Sequence, residues 1–313
     1  MIEIRVKPHP NTPSGPFDLL LVCLGYETRS LYVAERYAGT AATKIAISFQ
    51  DRQVGRYEYN KSFYTSNDFK LLVFDQGEVI RLLRAAVIQL NSQSAPGTRI
   101  LVDISSMSRP MIASVVLALT LVCEQRPLDV VFTYCPAVFT KPSDQRQPVT
   151  VSQPVIPEFA GWSNQPDKPV AAIAGLGFEF DQALGAIEYL EPAAAWTFIP
   201  FGEDSRYDRA VQSANGELLA TLNSDKRVRY DVADPYQCFA ELESLTYGLL
   251  DRNRPVIIPF GPKIFSLLSF IVAAIHAPNV TVWRVSGEQV GMPDDRVASG
   301  NIISVSALFV TTA

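Results

Sequence analysis

The 313-residue sequence has only two histidines, His9 near the start and His276 at the end of an apolar helical stretch. That scarcity excludes a multi-histidine metal centre and a histidine-based triad, which need ring nitrogens to converge with other ligands or a nucleophile. The four cysteines, Cys23, Cys123, Cys135 and Cys238, lie far apart and form no C-x-x-C pair. Their apolar surroundings (LVCLG, LVCEQ, TYCPA, YQCFA) predict buried, inert thiols and a reducing, cytoplasmic setting rather than a disulfide framework. No apolar run reaches the roughly 18 residues of a membrane span, and MIEIRVKPHP lacks the basic-then-apolar order of a secretory leader. There is no G-x-x-x-x-G-K-[ST], and Gly175-Leu176-Gly177 only approaches a G-x-G-x-x-G, so P-loop and dinucleotide chemistry lack their fingerprints and no cofactor is called for. Basic charge is not in excess: 27 Lys+Arg stand against 32 Asp+Glu, a net of −5, which argues against a protein that coats duplex DNA.

What the chain does have is core material, with 48% hydrophobic and 19% charged residues, enough for about two domains at roughly 150 residues each. It also echoes itself at an offset of about 152 residues. Leu24-Gly25-Tyr26-Glu27 recurs as Leu176-Gly177-Phe178-Glu179, Ser48-Phe49 as Pro200-Phe201, and Phe74-Asp75 as Tyr230-Asp231. ILVDISSMSRP is answered by VIIPFGPKIF, and LDVVFTY by NVTVWRV. Five matched segments in one order predict an internal duplication.

Within each half, short β-branched runs alternate with segments of helical period, the βαβ pattern of a mainly parallel sheet. Strands are expected at 18–24, 44–49, 70–74, 99–104 and 128–134, with helices at 29–38, near 55–64, at 77–91 and at 108–124. The second half repeats strands at 170–175, 195–200, 227–231, 255–259 and 279–284. The fold class is therefore α/β, two tandem Rossmann-like doubly wound parallel-sheet units related by internal duplication. The expected boundaries are 1–157 for the first unit, 158–168 for a linker and 169–313 for the second. VTVSQPV and NIISVSALFV would each add an edge strand to the unit that they follow.

Right-handed crossovers give such sheets the order 3-2-1-4-5, with a crevice beyond the carboxyl ends of strands 1 and 4. In the first half, two polar loops meet there: Gly25-Tyr26-Glu27-Thr28-Arg29-Ser30 and Asp103-Ile104-Ser105-Ser106-Met107-Ser108-Arg109. Ser105, Ser106 and Ser108 lie in the turn into an apolar helix, whose free N–H groups and positive dipole end suit a phosphate or carboxylate, and Arg109 adds a planar fork. The competing structural reading makes the serines caps and Arg109 an ion-pair partner of Asp103 or Glu27. Gly25 could supply a positive-φ turn, Tyr26 and Phe178 could stack on a base or plug the sheet end, and Glu27 and Glu179 could act as bases or grip a ribose hydroxyl. The second half offers Gly261 and Lys263, a weaker cradle, beside Gly177 and Glu179. Glu203, Asp204 and Asp208, with Asp51 in the first half, could hold Mg²⁺ but read better as polar loop tips, so no metal is expected. Residues 1–150 carry net +3 and residues 151–313 net −8, which favours the first half as the anion host.

Asp103-Ile104-Ser105-Ser106-Met107-Ser108-Arg109 resembles the strand 4 motif of CRISPR-associated Rossmann fold (CARF) sensor domains, with Ser106-Met107 where that family usually has two glycines. The resemblance implies binding of a cyclic or linear oligonucleotide messenger in a groove between two Rossmann units. It implies that Ser105, Ser106, Ser108 and Arg109 grip phosphates, with Glu27, Thr28 and Arg29 beside them. No helix-turn-helix or nuclease module follows in the sequence, so the output would belong to a partner protein or to the groove itself. Three readings stand. The first is a nucleotide-type ligand sensor or binding subunit in prokaryotic antiviral defence. The second is a phosphodiesterase or nucleosidase using Glu27, Asp103 or Arg109, and the third a structural subunit of a defence complex.

Overall fold

The computed structural model describes residues 2–90, 97–142, 149–161, 166–287 and 294–312. The chain forms two α/β units, one made of Met1–Val138 with Gly291–Ala313 and the other of Phe139–Val290. Among the described residues, no helix is long and apolar enough to cross a membrane.

The first unit runs β1 (Ile2–Pro8), β2 (Phe17–Leu24), α1 (Tyr32–Tyr37), β3 (Ala41–Ser48), α2 (Tyr57–Ser66), β4 (Lys70–Val73), α3 (Gln76–Leu90), β5 (Thr98–Asp103), α4 (Arg109–Val122) and β6 (Leu128–Tyr134). The second runs β7 (Val149–Pro154), β8 (Val170–Gly175), α5 (Gln182–Leu190), β9 (Ala194–Phe201), α6 (Ser205–Ala214), α7 (Gly216–Thr221), β10 (Arg227–Asp231), α8 (Pro235–Leu250), β11 (Arg254–Pro259), α9 (Lys263–Ile275) and β12 (Thr281–Gly287). The last strand, β13 (Ile303–Thr311), returns to the first unit.

The first sheet has the order β1-β13-β6-β5-β2-β3-β4 and the second β10-β9-β8-β11-β12-β7. Both contain the expected 3-2-1-4-5 core, with every pairing inside that core parallel. The cause is visible in the central strands. Leu19 to Leu24 of β2 and Ile100 to Val102 of β5 are apolar at successive positions and buried, as strands covered on both faces must be.

The terminal strands depart from expectation. β7 does not extend the unit that precedes it; it pairs antiparallel with β12 at the edge of the second sheet. β13 is not an edge strand. It lies between β6 and β1, antiparallel to both, with Ile303, Val305, Ala307 and Phe309 buried. The two units thus exchange their final strands. That exchange moves the boundaries to 138/139 and 290/291 in place of 157, 158–168 and 169. Of the expected linker, residues 162–165 lie outside the described residues, as does residue 91 of the expected helix 77–91. Charge is redistributed with the strands. The first unit holds 15 basic and 14 acidic residues, net +1, and the second 12 and 18, net −6. The sign asymmetry survives, reduced by Asp294 and Asp295 in the returning segment.

Candidate functional site

In the first unit the two polar loops do meet, because β2 and β5 are neighbours, with Leu21 opposite Val102. Four residues beyond each of these stand Gly25 and Ser106, and a Cβ added to Gly25 would lie 3.0 Å from that of Ser106. A side chain at Gly25 would crowd Ser106 at this close approach; Gly25 does not have the positive φ that the sequence suggested.

The strand 1 loop is held from below. The Gly25 N–H donates to Ser30 Oγ at 3.0 Å, and Ser30 Oγ donates to the Cys23 carbonyl at 2.7 Å. From α2, the Tyr64 hydroxyl donates to the Ser30 carbonyl at 2.8 Å, and Asn60 Nδ2 donates to the carbonyls of Gly25 at 2.8 Å and Glu27 at 3.0 Å. Asn60 is fully buried, and its Oδ1 has no hydrogen-bond partner among the described residues. Sequence reasoning missed Asn60. Its signal was a single polar residue on a helix whose other inward residues, Tyr57 and Tyr64, are aromatic.

Glu27 and Arg29 pair with each other, Arg29 Nε donating to Glu27 Oε2 at 2.7 Å, with side chains 13% and 8% exposed. The guanidinium also donates to the Cys135 carbonyl at 3.4 Å and bonds the Tyr134 phenol. Burial alone would lower the pKa of Arg29, but Glu27 and Tyr134 outweigh it and hold the charge more firmly than usual. Burial raises the Tyr134 pKa against the pull of Arg29. The partner of Glu27 is therefore Arg29 and not Arg109.

On the strand 4 loop, the buried Asp103 carboxylate accepts from the N–H of Ser105 at 3.1 Å and from its hydroxyl, while Ser105 Oγ accepts from the Cys135 N–H at 2.8 Å. Asp103 and Ser105 thus brace the loop against the end of β6. Ser108 is the N-cap of α4, its Oγ accepting from the Met111 N–H at 3.4 Å, and Arg109 and Pro110 open the helix. Ser106 is 5% exposed, and its Oγ is buried with no hydrogen-bond partner among the described residues. The site therefore combines a capped helix start, half-buried Arg109 and an unsatisfied hydroxyl against Gly25.

Tyr26 packs at 6.3 Å from Phe49, and its phenol bonds Arg52. Burial raises its pKa, Glu27 adds to that, and Arg52 opposes it. The Arg56 N–H donates to the Tyr26 carbonyl at 3.1 Å. Arg52 and Arg56 are exposed and were not anticipated. They lie on the loop after β3, which the choice of strands 1 and 4 had set aside. Thr28 faces the C-terminal segment: its N–H donates to Asp295 Oδ1 at 2.7 Å and its hydroxyl to Oδ2 at 2.6 Å.

The second unit brings its own strand ends together in the same way. Ile173 is opposite Ile257, and four residues further on Gly177 meets Gly261, where a Cβ on Gly177 would lie 2.6 Å from the Gly261 nitrogen. Gly261 thus holds the register position in its sheet that Ser106 holds in the first. Gly261 does have a positive φ, of 75°, and a Cβ there would strike the Leu176 carbonyl. Asn215 Nδ2 donates to the Gly177 carbonyl at 2.9 Å, as Asn60 does to Gly25. Phe178 stacks on Tyr207 at 5.5 Å, with Phe139 edge-on to both, so this aromatic plugs its own sheet end. Glu179 Oε2 lies against Gly177. Lys263 opens α9, whose N-cap, Pro262, offers no side-chain oxygen.

The remaining candidates have structural surroundings. Asp204 caps α6 and pairs with Arg206, Asp208 pairs with Arg229, and no metal-holding acidic, histidine or cysteine group occurs among the described residues. His276 Nε2 contacts Glu243 at 3.1 Å. None of the four buried cysteines is in a disulfide; burial pushes the Cys123 thiol up to about 11 and raises those of Cys135 and Cys238. Such thiols are poor nucleophiles. Compared with protein-family models and with curated proteins, the sequence matches none.

Proposed function

We propose that the first unit binds a phosphate-bearing, nucleotide-type ligand at the carboxyl ends of β2 and β5, acting as a sensor of the CARF kind in antiviral defence. A partner protein carries the output. The observation that carries this reading is Ser106 Oγ, buried and unsatisfied in the turn that leads into α4. An unpaired buried hydroxyl costs roughly 1–3 kcal/mol, and such a group calls for an explanation. A ligand oxygen beside the helix start supplies one, since the N–H groups there, the dipole and Arg109 all favour an anion.

The shared strand order, the matched Gly25–Ser106 and Gly177–Gly261 contacts and the two asparagine–glycine bonds support descent of both units from one ancestral unit. On that view the second unit keeps the scaffold but has filled its crevice, and binding falls to the first. The commitment of Glu27 to Arg29 and of Asp103 to Ser105 favours a binding role over an enzymatic one.

Arg109→Ala is expected to weaken binding of the best member of a panel of linear and cyclic oligonucleotides by about 1.5–3 kcal/mol. Arg109→Lys should recover part of the loss, because an ammonium keeps the charge but not the planar fork. A large drop in melting temperature with unchanged affinity would assign Arg109 to the scaffold.

A further inference from the structure

Residues 294–300 lie against the strand 1 loop. Besides the two bonds from Thr28 to Asp295, the Arg29 N–H donates to the Arg296 carbonyl at 2.9 Å and the Tyr32 hydroxyl to the Gly300 carbonyl. Asp295 is exposed, so its carboxylate faces solvent while both of its oxygens hold donors of one residue. Burial would raise its pKa, but the Thr28 hydroxyl and amide, the Arg296 amide and the charge of Arg56 outweigh it and keep the group below the usual carboxylate range.

An N–H and an O–H converging on two oxygens of one anion form a grip that serves a phosphate as well as a carboxylate. The loop that carries this grip is flanked by two of the seven unsatisfied buried side-chain atoms found among the described residues, Asn60 Oδ1 and Ser106 Oγ.

We propose that Asp295 is a built-in stand-in for a ligand anion: its carboxylate occupies the donor pair of Thr28, and a ligand phosphate displaces it. The inference rests on the reading of the first unit as the binding unit. It narrows the ligand to a class with at least two phosphates, one for the start of α4 and one for Thr28. It also makes the segment 294–300 a competitor that lowers apparent affinity by the fraction of time it is seated.

The test is titration of the full chain with inorganic pyrophosphate, for wild type, Asp295→Ala and Asp295→Asn, with amide hydrogen exchange followed at Thr28. Both variants are expected to bind about tenfold more tightly than wild type. Without pyrophosphate the Thr28 amide should exchange faster in the variants, and pyrophosphate should restore its protection. Equal affinity in all three proteins, with binding still weakened by Arg109→Ala, would overturn displacement while leaving the α4 site intact. Binding that leaves Thr28 unprotected in Asp295→Ala would do the same. Absence of pyrophosphate binding in every protein would overturn displacement, and the reading of the first unit as the binding unit would fall only if the oligonucleotide panel also failed to bind.

Discussion

Arg29→Met is expected to destabilise the first unit by roughly 3–5 kcal/mol, because it leaves the largely covered Glu27 carboxylate, 13% exposed, without its partner. For a domain of this size that corresponds to a fall in melting temperature on the order of 10 °C. The double substitution Glu27→Gln with Arg29→Met should recover much of the loss, since a neutral amide leaves no uncompensated charge. Denaturant unfolding of the two single variants and the double variant measures the coupling. A loss below about 1 kcal/mol for Arg29→Met would mean that water reaches the pair, and that Glu27 and Arg29 are available to a ligand after all.

The second large effect follows from the exchanged strand. A chain ending at residue 302 is expected to lose the cooperative unfolding of the first unit while the second unit keeps its own. β13 is flanked by β6 and β1, so its removal opens two antiparallel ladders and strands β1, which has no other neighbour in the sheet. Burial of Ile303, Val305 and Phe309 alone contributes roughly 1.5–3 kcal/mol each. Their sum is comparable with the whole stability of an ordinary domain, about 5–15 kcal/mol. The sheet of the second unit is complete within residues 149–287 and depends on none of the deleted strand. Hydrogen exchange of the truncated chain should show unprotected amides in β5 and β6 and protected ones in β8 and β11. Retained protection in β6 would mean that β13 is an accessory to that sheet.

The parallel core was legible because DLLLVC and ILVD can be buried only between two helical layers, and because the switch point then follows from handedness. The exchange of β7 and β13 was not. An alternating strand carries its own periodicity but no mark of the sheet that will receive it, and VTVSQP suits either edge. β1 was missed although Ile2, Ile4 and Val6 alternate with polar residues, a half-buried edge pattern.

At the site, the meeting of Gly25 with the serine loop could be read from strand order, whereas the identity of each partner could not. Arg29 takes Glu27, two residues away, through the turn geometry of the loop. Asp295 reaches Thr28 across 267 residues, which no local pattern encodes. Asn60 and Asn215 stand 35 and 38 residues after their glycines, a recurrence that becomes meaningful only once both side chains are seen on the same carbonyl.

Ser106→Ala tests the central claim most directly, because folding and binding are predicted to respond with opposite sign. Removing an unsatisfied buried hydroxyl should leave the protein as stable as before or more stable by up to about 1 kcal/mol. The same change should weaken binding of the oligonucleotide selected on the wild-type protein by about tenfold, the loss of one hydrogen bond to a charged group. Stability and affinity measured on the same preparation give both answers. Raised or unchanged stability with reduced affinity is the predicted result, whereas reduced stability with unchanged affinity would make Ser106 part of the scaffold and remove the ligand phosphate from this loop.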